Sequence, residues 1–416
     1  MLMPRRRASL AVAALVGFAS ACSTDSSITS LKTPGSASFN QSEGRGVLQR
    51  FTAIGTSVSM GVQSAGVNDS LQATSWPAQL ALMGGRRLEQ PLIAKPGCRA
   101  PLARPLASGV RISGEPALAP NALLACSPLL AGVQLPVDNV AINGALTSDA
   151  LFTTPETSPD PLYSRVLQPQ HTQVSTMIEN NPKLVSVELG ANEILGAQTG
   201  IAIPAINGSI LPPPIWAPLY DQVLDSVGRA TKMAVLVGLP SNIANLPALR
   251  SGNDLWIDKN EFDLVNIAIQ ADCSGSPNQI FLPLAIGTAL PLAAQRAAAH
   301  SGPLPFSCAG SLNPTTADFI LTPVELGIVN SVIAAMNAHI QSEAAQRGYA
   351  YFSLGALYDR PGLKPPFSLG VLLQSPAPFG PLFSLDGVHP SAAGSAVLAA
   401  AAAHALNVTY KLGIPE

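Results

Sequence analysis

Nucleophilic catalysis needs a hydroxyl or thiol, a base to take its proton, and donors for the charge that develops on the attacked carbonyl oxygen. Residues 51–61 read Phe-Thr-Ala-Ile-Gly-Thr-Ser-Val-Ser-Met-Gly, an apolar run that stops at Gly55 and presents Ser57 just beyond it. That is how a nucleophile is set on a strand-to-helix turn. Far downstream, Asp386 and His389 stand three residues apart in Phe-Ser-Leu-Asp-Gly-Val-His-Pro-Ser, so the acid can orient the imidazole from the same loop. Of the other histidines, His171 and His339 fall in expected helices, His300 in a long insertion and His404 near the end of the last helix. None has an Asp three residues before it.

Together these stretches resemble the first and last sequence blocks of the SGNH hydrolases, also called GDSL esterases and lipases. The family's first block is Gly-Asp-Ser with a further Gly four residues after the Ser, matched here by Gly55-Thr56-Ser57 and Gly61; its last is Asp-x-x-His, matched by Asp386 and His389. Val185-Ser-Val-Glu-Leu-Gly190-Ala-Asn192-Glu193 is similar to the strand that ends in Gly-x-Asn-Asp, and Val140-Ala-Ile-Asn-Gly144-Ala145 to the remaining block. The resemblance implies Ser57 as nucleophile, His389 as base and Asp386 as the acid that orients it. It also implies an oxyanion hole from the Ser57 N–H, the Gly144 N–H and the Asn192 amide. The implied fold is a flavodoxin-like, three-layer α/β/α sandwich around a parallel sheet. Two positions depart from the pattern: Thr56 stands where the family has Asp, and Glu193 where it has Asp.

Composition agrees with a globular chain. Of 416 residues, 47% are hydrophobic and only 12% charged, with net charge −2, so neither a basic patch for nucleic acid nor an acidic tail for a cationic partner is present. Residues 1–21 read as an export signal: Arg5-Arg6-Arg7, an apolar core from Ala8 to Phe18, then Ala19-Ser20-Ala21. Cys22 follows directly and resembles the acylated cysteine of bacterial lipoproteins; an ordinary secretory signal with an incidental cysteine fits as well. Either way the chain is exported, to the cell envelope and its membrane if Cys22 carries lipid. Four cysteines remain, an even number. Pairing by sequence neighbourhood gives Cys98 with Cys126 and Cys273 with Cys308, one of three possible connectivities.

The elements that position the site follow along the chain. Residues 22–45, rich in Ser, Thr and Gly, read as a flexible tether, and 46–410 as the catalytic domain. Val47 to Ile54 is the expected first strand, and Ser75-Trp76-Pro77 starts the helix that covers it. Residues 85–135 read as an irregular, disulfide-stapled insertion. Strands are expected at 137–142, 184–189, 232–238 and 349–352, and helices at 162–180, 220–231, 322–347 and 391–406. The helix from 322 carries a Thr-x-x-Glu capping box. Further insertions are expected at 200–220 and 250–320. Within them and the loop 361–385, the proline-broken apolar stretches 201–219 and 361–385 suit either an acyl-chain wall or buried packing.

These readings point to a serine esterase or lipase acting on a small-molecule or lipid ester, with no metal or other cofactor. Two alternatives stay open: a carbohydrate acetylesterase, and a degenerate domain of the same fold kept as a surface binding protein.

Overall fold

A computed structural model describes residues 39–205, 208–311, 313 and 315–416. The expected export signal, Cys22 and the tether up to residue 38 lie outside these residues. The last part of that tether is not loose: Phe39–Leu48 (α1) is helical, and a side-chain carbon at Gly44 would come within 2.5 Å of the Leu412 carbonyl. The first strand therefore starts later than its apolar run, after α1 has ended.

The main sheet has four parallel strands in spatial order: β1 (Phe51–Gly55), β2 (Leu184–Glu188), β3 (Ala234–Gly238) and β4 (Ala350–Ser353). β1, β2 and β3 are buried along their whole length, as expected of a parallel sheet covered on both faces. The expected strand at 137–142 runs parallel to the free edge of β1. Ala53 N–H donates to the Asp138 carbonyl at 2.9 Å, Val140 N–H to Ala53 at 2.9 Å and Ile142 N–H to Gly55 at 3.0 Å. Counted as the second strand, it gives the order 2-1-3-4-5 of flavodoxin-like sheets. The chain is thus an α/β protein with a parallel, doubly covered sheet.

Alternate residues of β4 show the two covering layers. Phe352 packs edge-on against Trp76 at 5.4 Å, whereas the Tyr351 hydroxyl accepts from Gln341 on the opposite side. The first layer holds α3 (Trp76–Met83) and the closing helix α10 (Ala392–Tyr410), which pack on each other. The second holds α4 (Thr147–Phe152), α5 (Gln173–Glu179), α7 (Pro213–Ala230) and α9 (Pro323–Arg347). The Thr322–Glu325 capping box forms, with Glu325 Oε2 accepting from Thr322 N–H at 2.8 Å.

Three expectations change. The helix expected at 162–180 is two, Tyr163–Val166 and α5, because Pro169 and a left-handed Gln170 (φ 62°) intervene before the Thr172 cap. The stretch 201–219 is only partly irregular, since α7 begins at Pro213, where a proline loses no hydrogen bond. Its Ile210 and Trp216 are fully buried, as are Leu369, Phe379 and Phe383 of the second apolar stretch, so these residues build core. The chain between β3 and α9 carries a helix that sequence periodicity did not show, α8 (Leu282–Ala298), together with two small sheets. Disulfides join Cys98 to Cys126 and Cys273 to Cys308, as neighbourhood pairing suggested.

Candidate active site

β1 delivers Ser57 to the sheet's C-terminal edge, where ligands bind in open parallel sheets. Thr56 stands just before a short helix, α2 (Ser57–Met60), whose first residue is Ser57, without capping it through its side chain, and Gly61 ends it in the left-handed region at φ 88°. Gly55 is required by space, because a Cβ there would lie 2.7 Å from Ser59 Oγ and 3.0 Å from Glu188 Oε2. Glu188, the last residue of β2 and in register with Gly55, braces this turn from below. Its Oε2 accepts from Thr56 N–H at 2.9 Å and Ser59 N–H at 3.2 Å, and its Oε1 from the Thr56 hydroxyl at 2.8 Å. Burial pushes the Glu188 carboxyl up in pKa, and these bonds only partly oppose it. Trp76 Nε1–H completes the support by donating to Ser59 Oγ at 3.1 Å. A carboxyl group, which Thr56 lacks, therefore reaches the turn from the neighbouring strand.

The acid and the imidazole sit in the loop before α10. Asp386 Oδ2 and His389 Nδ1 are 2.8 Å apart, and Asp386 Oδ1 accepts from the Val388 and His389 backbone N–H groups, both at 2.9 Å. Ser384 donates to Oδ1 at 3.0 Å and Ala65 N–H to Oδ2 at 2.6 Å. Burial alone would raise the Asp386 pKa, but the His389 charge and hydrogen bonds from His389 and Val388 outweigh it and hold the carboxyl at about 2. An ionised carboxylate only accepts, so the proton between the two residues belongs on Nδ1; in the neutral imidazole that tautomer leaves the lone pair on Nε2. Gly387 (φ 65°) makes the tight turn, with the Phe379 ring packed against it.

On the other side, Gly144 adopts φ 83° and faces open space. Asn192 opens α6 (Asn192–Leu195) and donates through Nδ2 to the Ala145 carbonyl at 2.8 Å, which ties the two expected oxyanion donors into one unit. Glu193 extends the tie: its Oε1 accepts from Thr147 N–H at 2.6 Å, while Oε2 is buried with no partner among the described residues. Burial raises the Glu193 pKa, and the hydrogen bond from Thr147 opposes that rise. A shallow recess of about 10 Å³, room for a single water, opens beside Asn143, lined also by Arg99, Asp160 and the Cys98–Cys126 bridge.

The structure thus pairs Asp386 with His389 and Asn192 with the Gly144 segment, and sets that segment beside the Ser57 turn through the Ile142–Gly55 bond. Among the described residues no hydrogen bond joins Ser57 to His389. Cys22 lies outside the described residues. Asp221, His339 and Glu343 bring three possible metal-ligand atoms within 4.8 Å of one another, but His339 already bonds Asp221 and Glu343 bonds Arg347. Sequence reasoning missed Glu188, whose signal was a carboxylate inside an otherwise apolar strand. It also missed Ser64, Ala65 and Ser384, which carry no signal without the fold.

No protein-family model matches the chain, and no curated protein matches it either. Among the solved structures similar to it are two bacterial enzymes. One is the extracellular lipase of Streptomyces rimosus, at 15% identity over 84% of this chain and 98% of that one, with TM-score 0.31. The other is phospholipase A1 of Streptomyces albidoflavus NA297, at 16% identity over 86% and 98%, with TM-score 0.30.

Proposed function

We propose that the chain is an exported serine esterase of the SGNH type, acting on carboxylic esters through Ser57, His389 and Asp386. The observation that supports the reading is the Asp386–His389 pair: a buried acid whose Oδ2 lies 2.8 Å from Nδ1 of the imidazole three residues on. Ser57 Oγ attacks the ester carbonyl carbon as its proton passes to His389 Nε2. The tetrahedral oxyanion lies toward the Ser57 and Gly144 N–H groups and the Asn192 amide, each such donor being worth roughly 3 to 4 kcal/mol. Collapse breaks the ester C–O bond, and His389 returns the proton to the departing alcohol. Water then attacks the acyl-serine, giving its proton to His389, and a second collapse releases the acid and restores Ser57. The Ser57–His389 contact closes as the substrate docks, as catalytic hydrogen bonds commonly do.

The binding-protein alternative drew on Thr56 and Glu193. Glu188 restores a carboxylate beneath the turn and Glu193 holds Thr147, so neither substitution argues for lost chemistry. Two disulfides suit an oxidising compartment. Lipid attachment at Cys22 completes the proposal, and labelled palmitate incorporation that survives Cys22→Ala would remove it.

The test is hydrolysis of p-nitrophenyl acetate, butyrate and octanoate by the fragment beginning at Ser23, beside Ser57→Ala and His389→Ala. Turnover by wild type with both variants at background supports the triad, and the chain-length profile separates an acetylesterase from a longer-chain lipase. Wild type that is silent and also resists a fluorophosphonate would sink the esterase reading in favour of a binding protein.

A further inference from the structure

The Ser57 segment and the acid loop are wired together by a two-residue turn. Ser64 and Ala65 are consecutive non-glycine residues in the left-handed region, at φ 55° and 54°. Such residues cost on the order of 1 to 3 kcal/mol each and persist where their surroundings hold them. Ser64 N–H donates to Ser384 Oγ at 2.8 Å and Ala65 N–H to Asp386 Oδ2 at 2.6 Å, the same oxygen that accepts from His389.

The carbonyls of this turn are held from the opposite side by the disulfide-stapled segment. Leu102 N–H donates to the Ser64 carbonyl at 2.8 Å, which orients the very peptide whose N–H reaches Asp386. Arg111 Nη1 donates to the Ala65 carbonyl at 3.1 Å and to the Ala100 carbonyl at 2.7 Å, and Nε to the Ala117 carbonyl at 2.9 Å. Arg111 is only 4% exposed, and among the described residues no carboxylate forms an ion pair with it. Burying a guanidinium that way is costly unless its donors are used. Here they tie two further loop segments to the turn; burial lowers the Arg111 pKa, as does the charge of Arg99, while the Glu115 charge opposes them.

We infer that Arg111 is a positioning residue for the acid: it holds the Ser64–Ala65 turn so that Ala65 N–H fixes Asp386 against His389. The inference rests on the triad reading above. Arg111→Met removes the clamp without touching substrate, and kcat falls about 10²-fold, as a misplacement near 1 Å would produce, while KM stays within about twofold. The low-field proton resonance of the His389–Asp386 hydrogen bond, assigned by its loss in His389→Gln, weakens or disappears. Arg111→Lys, which keeps one donor, restores part of both signals. A folded Arg111→Met with unchanged kcat and an intact resonance overturns the inference, whereas a purely structural role lowers the melting temperature and leaves the resonance in place. If Arg111→Met does not fold, Arg111→Lys is read instead, and normal kcat and resonance in that variant overturn the idea equally. Should wild type lack Ser57-dependent turnover, the esterase reading fails alone, because the resonance still reports the hold on Asp386. A wild type without that resonance sinks the inference outright.

Discussion

Asp386 and Glu188 are both buried acids, and their surroundings send them in opposite directions. Asp386 is held at about 2 against an ordinary 3.8, so its contribution to folding is full above the unfolded pKa and is lost as pH falls through the folded one. The shift corresponds to about 2 kcal/mol. Asp386→Asn is therefore destabilised by that order above pH ~4, and urea titrations of wild type and variant converge toward pH ~2; its turnover falls by up to about 10⁴-fold. A stability gap that stays constant down to acid pH would disprove the assignment. Glu188 is raised, so wild type is most stable, relative to a neutral isostere, below the carboxyl's unfolded pKa and loses that advantage as pH rises through the folded value. Glu188→Gln fits the site with its amide nitrogen toward the Thr56 hydroxyl, which can accept, and its oxygen toward the Thr56 and Ser59 N–H groups. We expect Gln to cost about 1 kcal/mol and Ala about 2 to 5, because Ala leaves buried N–H groups unpaired. Equal losses for Gln and Ala in urea unfolding would show that the charge itself is needed. Ser57, Asp386 and His389 were candidates from residue type and spacing, and Asn192 from the family resemblance alone. Glu188 was not, because its use depends on β1 and β2 lying in register.

At the scale of elements, the nucleophile turn depends on its glycines. Gly61 combines φ 88° with close neighbours, a Cβ there lying 2.9 Å from Ser75 Cβ and 3.0 Å from the Leu71 carbonyl. Gly61→Ala should cost roughly 2 to 4 kcal/mol, the sum of left-handed strain and overpacking. An unchanged denaturation midpoint would mean that the helix does not end in that conformation. α9 was readable because local chemistry states both its ends: the Thr322–Glu325 box starts it and Gly348, at φ 68°, stops it. α7 was half hidden because Pro213, Pro214 and Pro218 look like breakers, although the first two lie in the first turn and cost no hydrogen bond, and only Pro218 sits inside the helix. The helix expected at 162–180 failed for the converse reason, since favourable composition on either side masked the interruption at Pro169.

Across the whole molecule, the two disulfides have different neighbours. Each closes a loop of about 30 residues, worth roughly 3 to 4 kcal/mol in the chain-entropy account. Cys98 pairs through its backbone with Val67, two residues beyond the Ser64–Ala65 turn, whereas Cys273 and Cys308 lie in the segment between β3 and α9. Replacing Cys98 and Cys126 by Ser should therefore lower kcat as well as stability, and replacing Cys273 and Cys308 stability alone. Matching kcat values for the two double variants would refute that division. What the sequence by itself determined is whatever short-range chemistry states: the apolar runs that become buried strands, the Ser57 turn, the Asp386–His389 loop, and the helix caps; the parallel α/β class came from the family resemblance. What only the tertiary structure decided is which distant groups satisfy one another's hydrogen bonds. The Glu188 carboxylate beneath Thr56, the Ala65 N–H on Asp386 and the Arg111 guanidinium on Ala65 each join residues that no local pattern relates. A buried polar group takes whichever partner the packed fold brings to it, because leaving it unpaired costs more than the bond contributes.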